Sequence, residues 1–146
     1  MTSKAIKIIC TIIFWMTTIA GFFFAAMYLF RPEFMPYHEV AIGKPWNEMG
    51  EEYRVLIIAL MRVSGGGWLA TSVGMLLLLL IPYRKGRYWS NIGIPAIGLA
   101  ALVPTFLATI IVKTHSPAIP PYILAAVLIS LLVITIILSI LFKKKA

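Results

Sequence analysis

Four long apolar runs constrain this chain more than any other feature of its sequence. They cover residues 8–30, 55–82, 92–112 and 123–142, and the charge they contain is that of Arg62. Each run reaches the ~20 apolar residues that a helix needs to cross ~30 Å of hydrocarbon. Hydrocarbon offers the backbone no hydrogen-bond partner, and the runs lack the alternation of barrel strands, so we predict helices. The sequence therefore predicts an all-α integral membrane four-helix bundle, with residues 1–146 forming a single membrane domain.

The composition excludes the usual soluble classes. Hydrophobic residues make up 61% of the chain, charged residues 12%, and the mean hydropathy is +0.96. A soluble domain averages ~45–50% apolar and ~25% charged residues. The net charge of +8 could suggest nucleic acid. Because the basic residues flank apolar runs, we assign them to membrane surfaces instead and predict no nucleic-acid partner.

The charges are distributed unequally between the two predicted faces of the membrane. The N-terminus, the loop at residues 83–91 and the C-terminus carry basic residues and no acid, whereas all five carboxylates lie within loop one, residues 31–54. The positive-inside rule then places both termini in the cytoplasm, in a multi-pass protein of the cell inner membrane. The basic residues concerned are Lys4, Lys7, Arg84, Lys85, Arg87, Lys143, Lys144 and Lys145.

The loops predict how the runs connect. The loops at residues 83–91 and 113–122 are short, so neighbouring helices are expected to be antiparallel, in an up-down order. Loop one is long enough to hold structure of its own. Pro45 is followed by Trp46, Asn47 and Glu48, which predicts a short helix that continues into the second run. We therefore expect a helical or structured outer loop.

Small residues on the second run predict close helix packing. Gly66, Ala70 and Gly74 recur at every fourth position, beside Gly65. In lipid, small side chains let helices approach closely. The stripe fits either packing inside one bundle or a contact between copies. The third run offers a similar row: Ala96, Ala100, Pro104 and Ala108.

Arg62 is the candidate that the apolar runs single out. Counting the ~20 residues of a membrane-spanning helix back from Pro82 places Arg62 near the outer surface of the membrane. There it serves either as a structural anchor or as a ligand-binding or ion-pairing residue. Direct pairing with Glu51 is excluded, because eleven residues of helix separate the two by ~16 Å. We expect loop one to cap the bundle and to offer Arg62 an acidic or carbonyl group. A ligand site, if present, would lie under this cap.

The remaining chemistry-bearing residues are few and lie on the outer side. The ligand-binding candidates are Arg62, His38, Glu39, Glu51 and His115. A metal site from the two histidines and a glutamate is allowed geometrically, but the spacing does not require it, so we predict no metal, cofactor or catalytic residue. The first, third and fourth runs hold no carboxylate or histidine, which argues against a proton-coupled exporter.

A short pattern resembles a known group of proteins. It consists of residues 34–38 (Phe-Met-Pro-Tyr-His), Trp46, and Arg62 followed by glycines at 65–67. It is similar to a family of small, uncharacterised bacterial four-span membrane proteins that is loosely DoxX-like. The resemblance implies a four-span bundle in a bacterial inner membrane, and it carries over no catalytic residue.

Three function classes remain open from the sequence. The first is a non-enzymatic membrane component, either an accessory subunit or a bundle that binds a lipophilic small molecule such as a lipid or quinone. Its partners would be the lipid bilayer and a second copy or another membrane protein. The second is an oligomeric channel or transporter. The third is a membrane enzyme acting at the outer face through Arg62, His38 and the glutamates of loop one.

Overall fold

The computed structural model describes residues 3–143, and within them the regular elements are all helical. A 3-10 turn at Trp46–Glu48 precedes α3, and a π-helical turn at Leu79–Tyr83 extends it. The all-α prediction is confirmed. The helices are α1 (Ser3–Phe30), α2 (Pro36–Ile42), α3 (Glu51–Leu78), α4 (Ser90–His115) and α5 (Tyr122–Lys143).

Four of these helices have the length and apolar composition that crossing a membrane requires. The qualifying segments are Lys4–Phe30, Glu51–Tyr83, Ser90–His115 and Tyr122–Leu141. Helix α3 begins four residues before the second apolar run, at Glu51, with Gly50 as the N-cap. The early start has a physical reason, because Glu51 and Glu52 lie in the first turn, where carboxylates interact favourably with the positive end of the helix dipole.

Helix α3 packs against α1 along one narrow stripe. Near one end, Gly65 meets the backbone of α1 at Tyr28 and Leu29, and farther along, Ser72 lies against Gly21. The spacing approximates the seven-residue repeat by which two long helices keep one seam in contact. The buried residues of α3 and of its π-helical extension are Met61, Gly65, Ser72, Met75, Leu79 and Tyr83.

The small residue of α3 that lies against α1 is not part of the Gly66, Ala70 and Gly74 stripe that the sequence suggested. A Cβ added at Gly65 would lie 2.8 Å from Leu29 Cγ and 2.9 Å from Leu29 N. At Gly66 it would meet nothing within 4 Å, and at Gly74 it would make only ordinary contact with Ile97 at 3.8 Å. Ala70 is exposed. Since neighbouring helix positions point about 100° apart, a stripe displaced by one residue faces away from α1. Among these four residues, the close approach inside the bundle belongs to Gly65.

Prolines lie inside two of the long helices without ending them. Helix α4 continues through Pro95 and Pro104, and Pro82 lies in the π-helical turn that extends α3. A proline inside a helix lacks the N–H donor, and its ring crowds the carbonyl one turn earlier. A π-helical turn, which has a wider backbone, accommodates the ring at Pro82. The turn places Tyr83 against α1, edge-on to Phe14 with ring centroids 5.6 Å apart.

Two hydrogen bonds show which segments lie together at one end of the bundle. Tyr83 OH and Thr11 Oγ1 are hydrogen-bonded at 2.6 Å, and Tyr88 OH donates to Ser139 O at 3.3 Å. The start of α1, the loop after α3 and the end of α5 therefore share one end of the bundle. This end also carries Lys4, Lys7, Arg84, Lys85 and Arg87, all exposed. Lys144 and Lys145 lie outside the described residues.

Candidate functional site

Loop one forms a folded cap at the other end of the bundle. We call residues 31–50 the cap. Phe34 and Met35 are buried against Met61 of α3, and the ring of Phe34 stands edge-on to Trp46 with centroids 4.9 Å apart. These apolar side chains fix the cap on the ends of α1 and α3.

Helix α2 lies within the cap, ahead of the position that the sequence analysis assigned to a short helix. It begins with Pro36 in its first turn and is ended by Gly43, whose positive φ of 74° closes the helix with a hydrogen bond to Glu39 O at 2.8 Å. The predicted helix at 46–48 is only a 3-10 turn, and the extended backbone of Met49 separates it from α3. Proline at the start and glycine just past the end are the standard signals for a helix, and they mark α2 in the sequence.

Arg62 joins the cap to α1 through two backbone carbonyls. In a continuing helix the carbonyl of Tyr28 would accept from residue 32, but residue 32 is proline and has no N–H. Arg62 Nη1 supplies that donor to Tyr28 O at 2.9 Å, and Nη2 donates to Arg31 O at 3.1 Å. The expectation of a carbonyl partner from loop one is thereby confirmed. The guanidinium closes the end of α1.

A cavity of ≈ 460 Å³ lies beneath α2, between α3 and α4. Its lining is mainly apolar, with Ile57, Leu60 and Met61 on the α3 side. Tyr28 OH and Tyr37 OH, which are hydrogen-bonded to each other at 3.0 Å, stand at the α2 end. The other polar side chains of the lining are His38, Ser64, Thr105 and Thr109.

A second cavity of ≈ 420 Å³ adjoins the first and extends it along α3 and α4. The two share Ser64, Trp68 and Thr105. Farther from the cap, α3 and α4 are in contact. A Cβ built at Gly98 of α4 would lie 3.4 Å from Met75 Sδ, and one at Gly93 would lie 3.4 Å from Leu78 Cδ1. Small side chains account for the space between the helices: Gly67, Ala100, Ala101 and Pro104. On α4, Ala100 and Pro104 belong to the row that the sequence analysis offered for close packing, and here they border a cavity.

The environment of the cap favours the neutral forms of His38 and Tyr37. Burial lowers the pKa of His38, whose Nδ1 accepts the backbone N–H of Met35 at 3.3 Å. That hydrogen bond needs an unprotonated nitrogen. Burial, reinforced by the neighbouring hydroxyl of Tyr28, raises the pKa of Tyr37. The α2 end of the cavity therefore presents neutral hydrogen-bonding groups.

Only His38 among the five ligand candidates from the sequence lines this cavity. Arg62 is engaged with α1, while Glu39, Glu51 and His115 are exposed and lie outside the lining. The imidazole of His115 is hydrogen-bonded within its own turn, to Ile111 O at 3.0 Å. Within residues 3–143, no three His, Cys, Asp or Glu side chains gather where they could hold a metal ion.

Sequence reasoning missed most of the cavity lining. Tyr37, Trp68 and the hydroxyl residues of α3 and α4 carry no spacing signal, because an aromatic or threonine in an apolar run is ordinary. The available signal was the pair of Pro36 and Gly43, which mark the ends of α2 and so place Tyr37 and His38 on one short helix.

Comparisons with protein-family models, with curated proteins and with solved structures find no match to this chain.

Proposed function

We propose that this chain is a four-span protein of a bacterial inner membrane, with neighbouring helices antiparallel. The length and apolar composition of α1, α3, α4 and α5 support insertion. The contacts between α1 and α3 support their opposite direction: Leu29 lies against Gly65, Gly21 against Ser72, and Thr11 bonds to Tyr83. Residue numbers fall along one helix as they rise along the other.

The charges support an orientation with both termini in the cytoplasm. The exposed basic residues at the start of α1 and in the loop at 84–87 lie at one end of the bundle. The cap at the opposite end carries the exposed carboxylates Glu33, Glu39 and Glu48. Basic residues are retained on the cytoplasmic side, so the cap faces outward.

The function of the bundle, in this proposal, is to bind a lipophilic small molecule without transforming it. The observation that carries the proposal is the ≈ 460 Å³ cavity beneath α2. Ligand sites are typically clefts of ~300–1,000 Å³, mostly apolar, with a few polar groups that orient the ligand. This cavity has that size, an apolar wall on α3, and the hydroxyl pair of Tyr28 and Tyr37 at one end.

The test fills the cavity and leaves the same helix otherwise unchanged. Ala108 lines the cavity on α4, whereas Ala96 is exposed on the same helix and lines neither this cavity nor its extension. We expect a pyrene-labelled fatty alcohol to bind the purified protein saturably in mild detergent. Ala108→Phe is expected to weaken binding at least about tenfold, a loss of about 1.4 kcal/mol.

The matched control is Ala96→Phe, which should bind like the unaltered protein. Equal binding by both variants would overturn the proposal, because the probe would then be held elsewhere. A circular dichroism melt of both variants checks that each remains folded.

A further inference from the structure

The two cavities adjoin along α3 and α4, where Ser64, Trp68 and Thr105 line both, and we call them together the α3–α4 groove. Along α3 the lining runs from Ile57 to Thr71. At ~1.5 Å per residue this is about 21 Å of helix axis, more than the ~15 Å of hydrocarbon in one leaflet, so a long acyl chain can lie along it. A ligand that filled only the space under α2 would leave the extension empty.

The hydrogen-bonding groups along this groove differ in kind. The Tyr28, Tyr37 and His38 side chains stand at the α2 end, whereas the extension carries the aliphatic hydroxyls of Ser64, Thr71 and Thr105 among apolar neighbours such as Ile97. The phenol and imidazole groups under α2 suit the head of an amphiphile whose chain lies between the helices.

The charge of the lining selects the head group. Among residues 3–143, neither cavity is lined by a Lys, Arg, Asp or Glu side chain. Arg62, which follows the lining residue Met61, donates to Tyr28 O and Arg31 O instead. Burying an unpaired phosphate or carboxylate there would be costly, whereas a neutral hydroxyl or carbonyl can exchange hydrogen bonds with Tyr37 and Tyr28.

The bundle interior beside the groove has no room for a second chain. The cavity that adjoins it toward α1 and α5, which shares Trp68 and Thr105, holds only ≈ 30 Å³, the share of liquid volume that one water takes. Ser64, Gly67, Ala100 and Pro104 border the groove and are exposed, so the groove is open at its side. In the inserted protein that side faces lipid, and the ligand enters from the bilayer.

We infer that the ligand is a neutral, single-chain amphiphile, with its head held by Tyr37 and Tyr28 beneath α2 and its chain lying along the α3–α4 groove. This inference rests on the proposed function and adds the chemical class of the ligand and its direction in the site.

The head group is tested by competition against the pyrene-labelled fatty alcohol. We expect 1-monooleoylglycerol to displace the probe at a concentration at least about tenfold below that of 1-oleoyl lysophosphatidylglycerol, which carries the same chain on a charged head. Dioleoylglycerol, neutral but with two chains, should compete as weakly as the charged lipid. Equal displacement by the charged or the two-chain competitor would overturn the inference.

The position of the chain is tested by closing the groove from either wall. Ala100→Phe on α4 and Thr71→Phe on α3 should each weaken monooleoylglycerol binding about tenfold and leave monooctanoylglycerol binding unchanged, because the short chain ends before the obstruction. Retained binding of the short competitor also shows that the variants are folded, and Ala96→Phe is the control. Unchanged binding of the long chain in both variants would overturn the inference.

The two proposals fail in different ways. If Ala108→Phe abolishes probe binding while charge and chain length have no effect, the bundle binds lipophiles but the inferred class is wrong. If Ala108→Phe and Ala96→Phe bind the probe equally, the proposed function fails, and the inference fails with it.

Discussion

Gly65 is a residue of α3 at which the backbone of α1 leaves no room for a side chain. A methyl group there would lie 2.8 Å from Leu29 Cγ, 2.9 Å from Leu29 N and 3.1 Å from Tyr28 C. Two of these neighbours are backbone atoms, which cannot turn aside as a side chain can. The next residue, Gly66, has open space in the direction of its missing side chain. Gly65 therefore has to lack a side chain for α1 and α3 to pack, whereas a side chain at Gly66 would meet no neighbour.

This contrast predicts opposite effects of the same substitution. Gly65→Ala should lower the free energy of unfolding in detergent by about 1–3 kcal/mol, because the added methyl group forces the helices apart. Gly66→Ala should leave stability unchanged or raise it by up to about 1 kcal/mol, since alanine is the better helix former. Thermal or denaturant unfolding followed by circular dichroism measures both. A Gly65→Ala protein as stable as Gly66→Ala would show that the close approach is absent.

At the scale of elements, the sequence predicted what depends on local composition. The long helices follow from the apolar runs, so their existence was predictable from hydropathy, although α3 begins four residues before its run. The face that each helix buries was not predictable, because it depends on the partner helix: Gly66 and Gly74 are as small as Gly65, but a Cβ at neither position would meet α1. The cavity depends on several helices and the cap together, and of its lining only His38 was named as a ligand candidate in advance.

The α2 element carries a prediction about pH. Burial lowers the pKa of His38 in the folded cap relative to an unfolded value of ~6.5. The unfolded cap therefore takes up the proton more readily, so the contribution of His38 to cap stability is complete above about pH 6.5 and is lost as the pH falls below it. Protonation also removes the acceptor for the Met35 N–H.

Hydrogen exchange of the cap peptides measures this effect. After correction for intrinsic rates, protection of residues 31–50 should be lower at pH 5.5 than at pH 7.5, while protection at the α1–α3 contact should not change. His38→Gln keeps a side-chain acceptor at the same helix position and does not titrate, so its cap should show little pH dependence. If residues 31–50 of the His38→Gln protein lose as much protection at pH 5.5 as the unaltered protein does, a group other than His38 causes the pH dependence.

At the scale of the whole molecule, the two ends of the bundle differ in charge and in structure. Basic side chains surround the end formed by the start of α1 and the loop after α3, and the cap with its carboxylates closes the other. The proposed orientation follows from this difference, since cationic flanks are held on the cytoplasmic side.

Reporter fusions test the orientation directly. Reporters placed at the N-terminus, at Gly86 and at the C-terminus should give a cytoplasmic signal, and one at Gly43 should give an external signal. Gly43 and Gly86 are suitable sites because both are exposed and each closes a turn with positive φ. A cytoplasmic signal from Gly43 would reverse the orientation and place the cap and the groove on the inner side.

The hydrogen bonds of Arg62 also set an order of events during synthesis. Pro32 leaves the Tyr28 carbonyl without a donor from its own helix, and the donor that replaces it lies 34 residues later in the chain. While the ribosome has made α1 but not yet position 62, that helix has an unfinished end that water must solvate. The α1–α3 pair therefore becomes complete only when the second long helix arrives, and in the proposed membrane protein we expect these two segments to insert as a pair.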